Sequence, residues 1–189
     1  DELRETDLLI EEIKSFISLE ENEVVIGFHR MSQPFTQNKV IDVDTVGSAQ
    51  SFRGFIVIRD PFMGLDGVRK ETVLAHEMTH LFGGIHVTDA NAIMHPSVPL
   101  NPSVVLDEDN KKILYWTNGI DFRKGLDSLS IEAVRALISV YERKIKENPL
   151  GDFYYQLGKF YQHLDEPMKA VSIWEAAVRY QYENPYIHH

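Results

Sequence analysis

The stretch HEMTHLFGGIH, residues 76 to 86, limits what the surrounding chain can fold into more than any other. His76 and His80 are four apart, so on a helix both imidazoles leave one face a single turn apart. Two nitrogens so placed can reach one ion at roughly 2.0–2.1 Å. Gly83 accepts the left-handed backbone that ends a helix, so the chain can turn back sharply there. His86, three residues past that turn, is then available as a third nitrogen ligand. The spacing therefore calls for a helix that stops at Gly83 and a return of the chain across its last turn.

Three protein nitrogens leave one tetrahedral position for water, the mark of a catalytic rather than a structural zinc. Glu77 follows the first ligand and is placed to reach a water on the ion rather than the ion itself. The chemistry expected of the set is hydrolysis, with one catalytic Zn²⁺ and Glu77 as general base. Glu77 would take a proton from water as it attacks a carbonyl, then pass it to the leaving amine. The competing reading is a solvated helix followed by a glycine turn. An HExxH match arises by chance in roughly one chain in a few hundred, and fixing Gly83 and His86 lowers that by roughly a further thousandfold. The metal site is the better reading.

Composition narrows the class of protein. The chain has 189 residues, of which 43% are apolar and 25% charged, which suits a globular protein with a real core. The longest apolar runs, such as FIVI at 55 to 58, are too short to span a bilayer. A formal net charge of -10 argues against general nucleic-acid binding, which needs a basic face. The absence of cysteine rules out disulfides, thiolate ligands and cysteine nucleophiles, and fits cytosolic and exported proteins alike.

Hydrophobic periodicity divides the chain into two regions. Residues 5 to 18 have apolar positions at helical spacing, whereas EVVIGF (23 to 28) and GFIVIRD (54 to 60) read as strands. KVIDVDTVGSAQSF between them supplies a further extended segment, and residues 69 to 82 form the motif helix. A polar, proline-bearing stretch follows, and residues 105 to 127 suggest a hairpin around KKILYW. Ser130 caps a helix that stops before Asn148-Pro149, and two more helices follow at about 152 to 163 and 167 to 182.

The motif resembles HExxHxxGxxH, the zinc signature of the metzincin metallopeptidases. NAIMHP supplies Met94 eight residues after His86, at the place of the family's methionine turn beneath the metal. VTDANAIMHPSV is especially similar to the matrixin branch. VGSAQSF and GFIVIRD resemble the family's edge strand and its neighbour, EVVIGF an earlier strand, and LSIEAVRALISVY its C-terminal helix. The resemblance covers about 1 to 143 and is most specific at 76 to 96. It implies an α+β fold: a mixed sheet with an active-site helix as a zinc peptidase domain over 1 to 147, followed by a small helical region over 148 to 189. It also implies that substrate lies along the edge strand at Gly47, Ser48 and Ala49, with the P1′ side chain in a pocket bordered by Pro96 and Val98. The chain departs from the family in having no cysteine switch, and no matrixin-type structural zinc cluster is found. Val98 stands where matrixins commonly have a tyrosine, which implies tolerance of bulky apolar P1′ residues. Resemblance alone favours an exported protein.

In the tail, Tyr154, Leu157, Gly158, Tyr161, Ala170, Trp174 and Ala177 have offsets that resemble a tetratricopeptide repeat. Small residues at 158, 170 and 177 let two helices approach while aromatics fill the gap. One repeat cannot bury its own face, so a protein partner or self-association through the tail is expected. Two functions remain open: a zinc endopeptidase acting on peptides or proteins, or a metal-bearing scaffold whose helical repeat mediates interaction. A scaffold needs the histidines at most, so Glu77 favours the enzyme.

Overall fold

The run FIVI is apolar at every position, the pattern of a strand covered on both faces. In the computed structural model, which describes residues 5–20, 23–29, 41–42, 47–59, 67–98, 105–149 and 151–183, this run lies in the central strand of a three-stranded sheet. The elements in chain order are α1 (Glu5–Phe16), β1 (Val25–His29), β2 (Ile41–Asp42), β3 (Gly47–Gln50), β4 (Phe55–Arg59) and α2 (Gly67–Leu81). They continue with β5 (Ser97–Val98), α3 (Glu108–Thr117), α4 (Ile131–Glu147), α5 (Gly151–His163) and α6 (Pro167–Glu183). The architecture is α+β, and it forms two compact units, residues 1–125 and 126–189.

In the first unit the sheet order is β1-β4-β3. β1 runs parallel to β4, from Val25 opposite Phe55 to His29 opposite Arg59. β3 runs antiparallel to it, from Gly47 opposite Ile58 to Gln50 opposite Phe55. Phe55 and Val57 pack with Ile10, Leu9 and Ile13 of α1. Ile56 and Ile58 alternate to the other face, where α2 packs on β3 and β4. All four side chains are buried, each contributing about 1.5–3 kcal/mol, which makes β4 the anchor of this unit. A second, two-stranded ladder pairs β2 with β5.

The helices expected at 5 to 18 and 69 to 82 appear as α1 and α2, and the strands at 23 to 28 and 54 to 60 as β1 and β4. The extended segment over 39 to 52 contains β2 and β3, with residues 39–40 and 43–46 outside the described residues. The hairpin expected around KKILYW is instead helix α3. Asp107 caps it by accepting from the Asp109 and Asn110 amides, and its buried stripe is Asn110, Ile113 and Thr117. Two of those three positions are polar, which hides the helical period from an apolar count.

The second unit is all helical. Ser130 Oγ accepts from the Ala133 amide and caps α4 as expected. α4, which the resemblance groups with the first domain, packs against α5 in the second unit. Tyr141 is buried edge-on against Phe153 and Phe160, with ring centroids 6.1 and 5.1 Å away. α5 and α6 form a hairpin in which Trp174 lies directly over Gly158 and donates to the Tyr155 carbonyl at 3.2 Å. Among the described residues, no helix is long and apolar enough to cross a membrane.

A Cβ at Gly158 would meet Trp174 Nε1 at 2.0 Å. Gly158→Ala gains about 1 kcal/mol of helix propensity, but overpacking typically costs ~1–3 kcal/mol and the Trp174–Tyr155 bond is also lost. The variant should therefore be less stable by roughly 1–2 kcal/mol in urea unfolding. A neutral or stabilising result would contradict this packing.

Candidate metal centre

An unusual number of polar side chains on α2 face inward: Arg69, Thr72, His76, Glu77 and Thr79 are all buried. Buried polar groups on one helix face need a chemical reason, since burial without partners is costly. For His76 and Glu77 the motif supplies it. His76 is fully buried, His80 and His86 are half-buried, and their ligand atoms come together in one cluster.

The helix end is built as the glycine predicts. Gly83 has φ +83°, its amide donates to the His80 carbonyl, and the Gly84 amide donates to the Thr79 carbonyl. This pair of bonds is the Schellman arrangement, which satisfies the last carbonyls of a helix. Gly83 also has no room for a side chain, because a Cβ would meet the Phe52 ring at 2.2 Å. Phe52 sits in the β3–β4 turn with φ +64°, and its amide donates to the Leu81 carbonyl at 2.7 Å. The sheet turn thus grips the last turn of α2.

The return loop is fixed from the other side by α3. Asn110, fully buried, accepts from the Ile85 amide at 2.8 Å and donates to the Ile85 carbonyl at 2.9 Å. Its side-chain amide also donates to Asp107 Oδ2 at 2.7 Å. Both main-chain groups of Ile85 are held, so the direction in which His86 leaves the loop is held as well. Sequence reading missed Asn110 because α3 itself was missed.

Beyond the third histidine, the turn that contains Met94 closes beneath α2. Met94 is fully buried, and its carbonyl accepts from the Val87 amide at 3.0 Å. The neighbouring Ile93 carbonyl lies 2.8 Å from His76 Nδ1, and the Gly84 carbonyl lies 2.8 Å from His80 Nδ1. Carbonyl oxygens only accept, so both Nδ1 atoms carry the proton and both Nε2 atoms present a lone pair. Carbonyl bonds of this kind orient metal-binding histidines.

The Nε2 atoms form a nearly equilateral triangle, with His76–His80 at 3.0 Å and both distances to His86 at 3.1 Å. At least two lone pairs therefore face each other at close range, an arrangement that a shared cation would make favourable. Burial, reinforced by the charges His80 and His86 would carry, holds the His76 pKa well below its ordinary value and keeps the ring neutral. Three imidazoles converging on one point are a set that could hold a metal ion.

Glu77 is 2% exposed and is not among the clustered ligand atoms. Its carboxylate lies against Gly47, the first residue of β3, while Ser48 and Ala49 follow half-buried on the same strand. Among the described residues β3 pairs only with β4. Pro96 is half-buried before β5, and Val98 pairs with Ile41 through the main chain. Comparison with known protein families, curated proteins and solved structures finds no match.

Replacing Asn110 by Ala would leave two buried main-chain groups of Ile85 unpartnered, at about 1–3 kcal/mol each. It should also weaken metal binding by roughly 10–100-fold, the usual effect of losing a group that orients a ligand. Competition with a chromophoric chelator measures this directly. An affinity within twofold of wild type would show that the Asn110 bonds do not position His86.

Proposed function

We propose that this chain is a zinc-dependent endopeptidase of the metzincin type, in which Glu77 is the general base. The observation that carries the reading is the Nε2 triangle at 3.0–3.1 Å with a buried carboxylate one residue after its first member. A set of three imidazoles with no thiolate suits zinc, and three protein ligands are the usual number at a catalytic zinc. A zinc ion bound there supplies Lewis acidity to an attacking water and to the scissile carbonyl. His76 and His80 are fixed in the ligating tautomer by the Ile93 and Gly84 carbonyls. Glu77 accepts the proton of the attacking water and delivers it to the leaving amine.

The edge of β3 away from β4, which no strand pairs among the described residues, supports a matching mode of substrate binding. A peptide adds there as an extended strand along Gly47 to Gln50, with main-chain bonds giving affinity. Its P1′ side chain enters a pocket bordered by Pro96 and Val98. The Met94 turn acts as the floor of the site by presenting the Ile93 carbonyl to His76. The tail is a tetratricopeptide-like hairpin that recruits a protein partner or a second copy. On α6, Met168, Val171 and Val178 stand exposed, and this favours an interaction role for the tail, whether beside catalysis or in place of it.

Glu77→Gln keeps the shape of the carboxylate and loses its basicity. The variant should bind metal as wild type does and lose ~10²–10⁴-fold in peptide hydrolysis. A peptide-library digest with wild type, the variant and a chelated control is the test. Hydrolysis by Glu77→Gln within a few-fold of wild type, or a chelated protein that still cleaves, would overturn the proposal; a metal-loaded wild type that cleaves nothing would leave the scaffold reading.

A further inference from the structure

Gly47 stands at the start of an edge strand, where a glycine weakens pairing and packs nothing of its own. Backbone conformation does not require it. Gly47 does not have a positive φ, so a residue with a side chain could adopt its backbone. Space is the constraint. Gly47 is buried opposite Ile58, on the sheet face covered by α2. A Cβ there would meet Glu77 Oε1 at 2.7 Å, Cγ at 2.8 Å and Cδ at 2.9 Å. The three nearest heavy atoms all belong to one side chain.

We propose that Gly47 is a positioning residue for Glu77: its bare main chain is the seat against which the carboxylate rests. This deepens the reading of Glu77 as general base and rests on it. A glutamate side chain has several rotatable bonds, and confinement by its surroundings narrows the positions its carboxylate can take. Here burial closes the solvent side, and Gly47 leaves the space that the carboxylate fills. Any side chain at 47 pushes the carboxylate out of that space by roughly 0.5–1 Å, and misplacements of this order cost up to ~10²-fold in rate. The seat also ties the base to the strand along which substrate would lie, so base and peptide share one reference.

The position of Glu77 can be read without metal or substrate. Carbon-13 NMR of protein labelled at the glutamate carboxyl carbons gives a Glu77 signal, assigned by its loss in Glu77→Gln. Gly47→Ala should move that signal and leave metal content within twofold. It should lower kcat by roughly 10–100-fold, leave KM within about threefold, and have no further effect in the Glu77→Gln background. An unmoved signal overturns the proposal, as does an equal loss of kcat in the Glu77→Gln background. If the signal moves but wild type hydrolyses nothing, the general-base reading fails while Gly47 stands as the seat of Glu77. If Gly47→Ala does not fold, Gly47→Ala combined with Glu77→Ala decides, because it removes the three atoms nearest the added Cβ. Recovered folding supports the seat, and continued unfolding overturns it.

Discussion

The last turn of α2 is the constraint on which the rest of the site depends. A helix can place His76 and His80 together unaided, but the third imidazole arrives only if the chain reverses within a few residues. Gly83 makes the reversal possible by adopting φ +83°, and it is held on both sides. Phe52 packs on Gly83 and bonds to the Leu81 carbonyl, which ties the helix end to the sheet. Asn110 bonds both main-chain groups of Ile85, which ties the return loop to α3. His86 thereby comes to 3.1 Å from both other histidines.

Energetics explain why so much structure converges on this point. Lone pairs that face one another in a partly buried cluster repel until a cation is shared between them. Zinc sites built from protein ligands return on the order of 10 kcal/mol at neutral pH. A cation shared by the cluster would therefore stabilise the unit. The carbonyls of Ile93 and Gly84 settle the tautomer in advance, so binding need not reorganise those two rings. That advance positioning is what a fold can contribute to a metal site.

What was legible in the sequence was local. His76, Glu77, His80, Gly83 and His86 lie within one helix and one turn, where spacing translates directly into geometry. β4 was legible from its unbroken apolar run, and the cap of α4 from Ser130. The parts that did not show were long-range or disguised. Asn110 lies 25 residues from Ile85 in a helix whose buried stripe is two-thirds polar, so no hydrophobic count could find it. Phe52 meets Gly83 from a turn that no spacing connects to the motif. Gly47 did carry a signal, since an isolated glycine in a strand often marks a close approach, but the sequence does not say what approaches.

Three imidazoles brought together by this turn could hold one metal ion. X-ray absorption at the metal edge, on protein purified without added metal, is the decisive measurement. About one equivalent of zinc is expected, with three imidazole nitrogens at roughly 2.0–2.1 Å and one further light-atom neighbour. Less than half an equivalent of any transition metal after zinc dialysis, or a spectrum with fewer than three imidazoles around the ion, would contradict it.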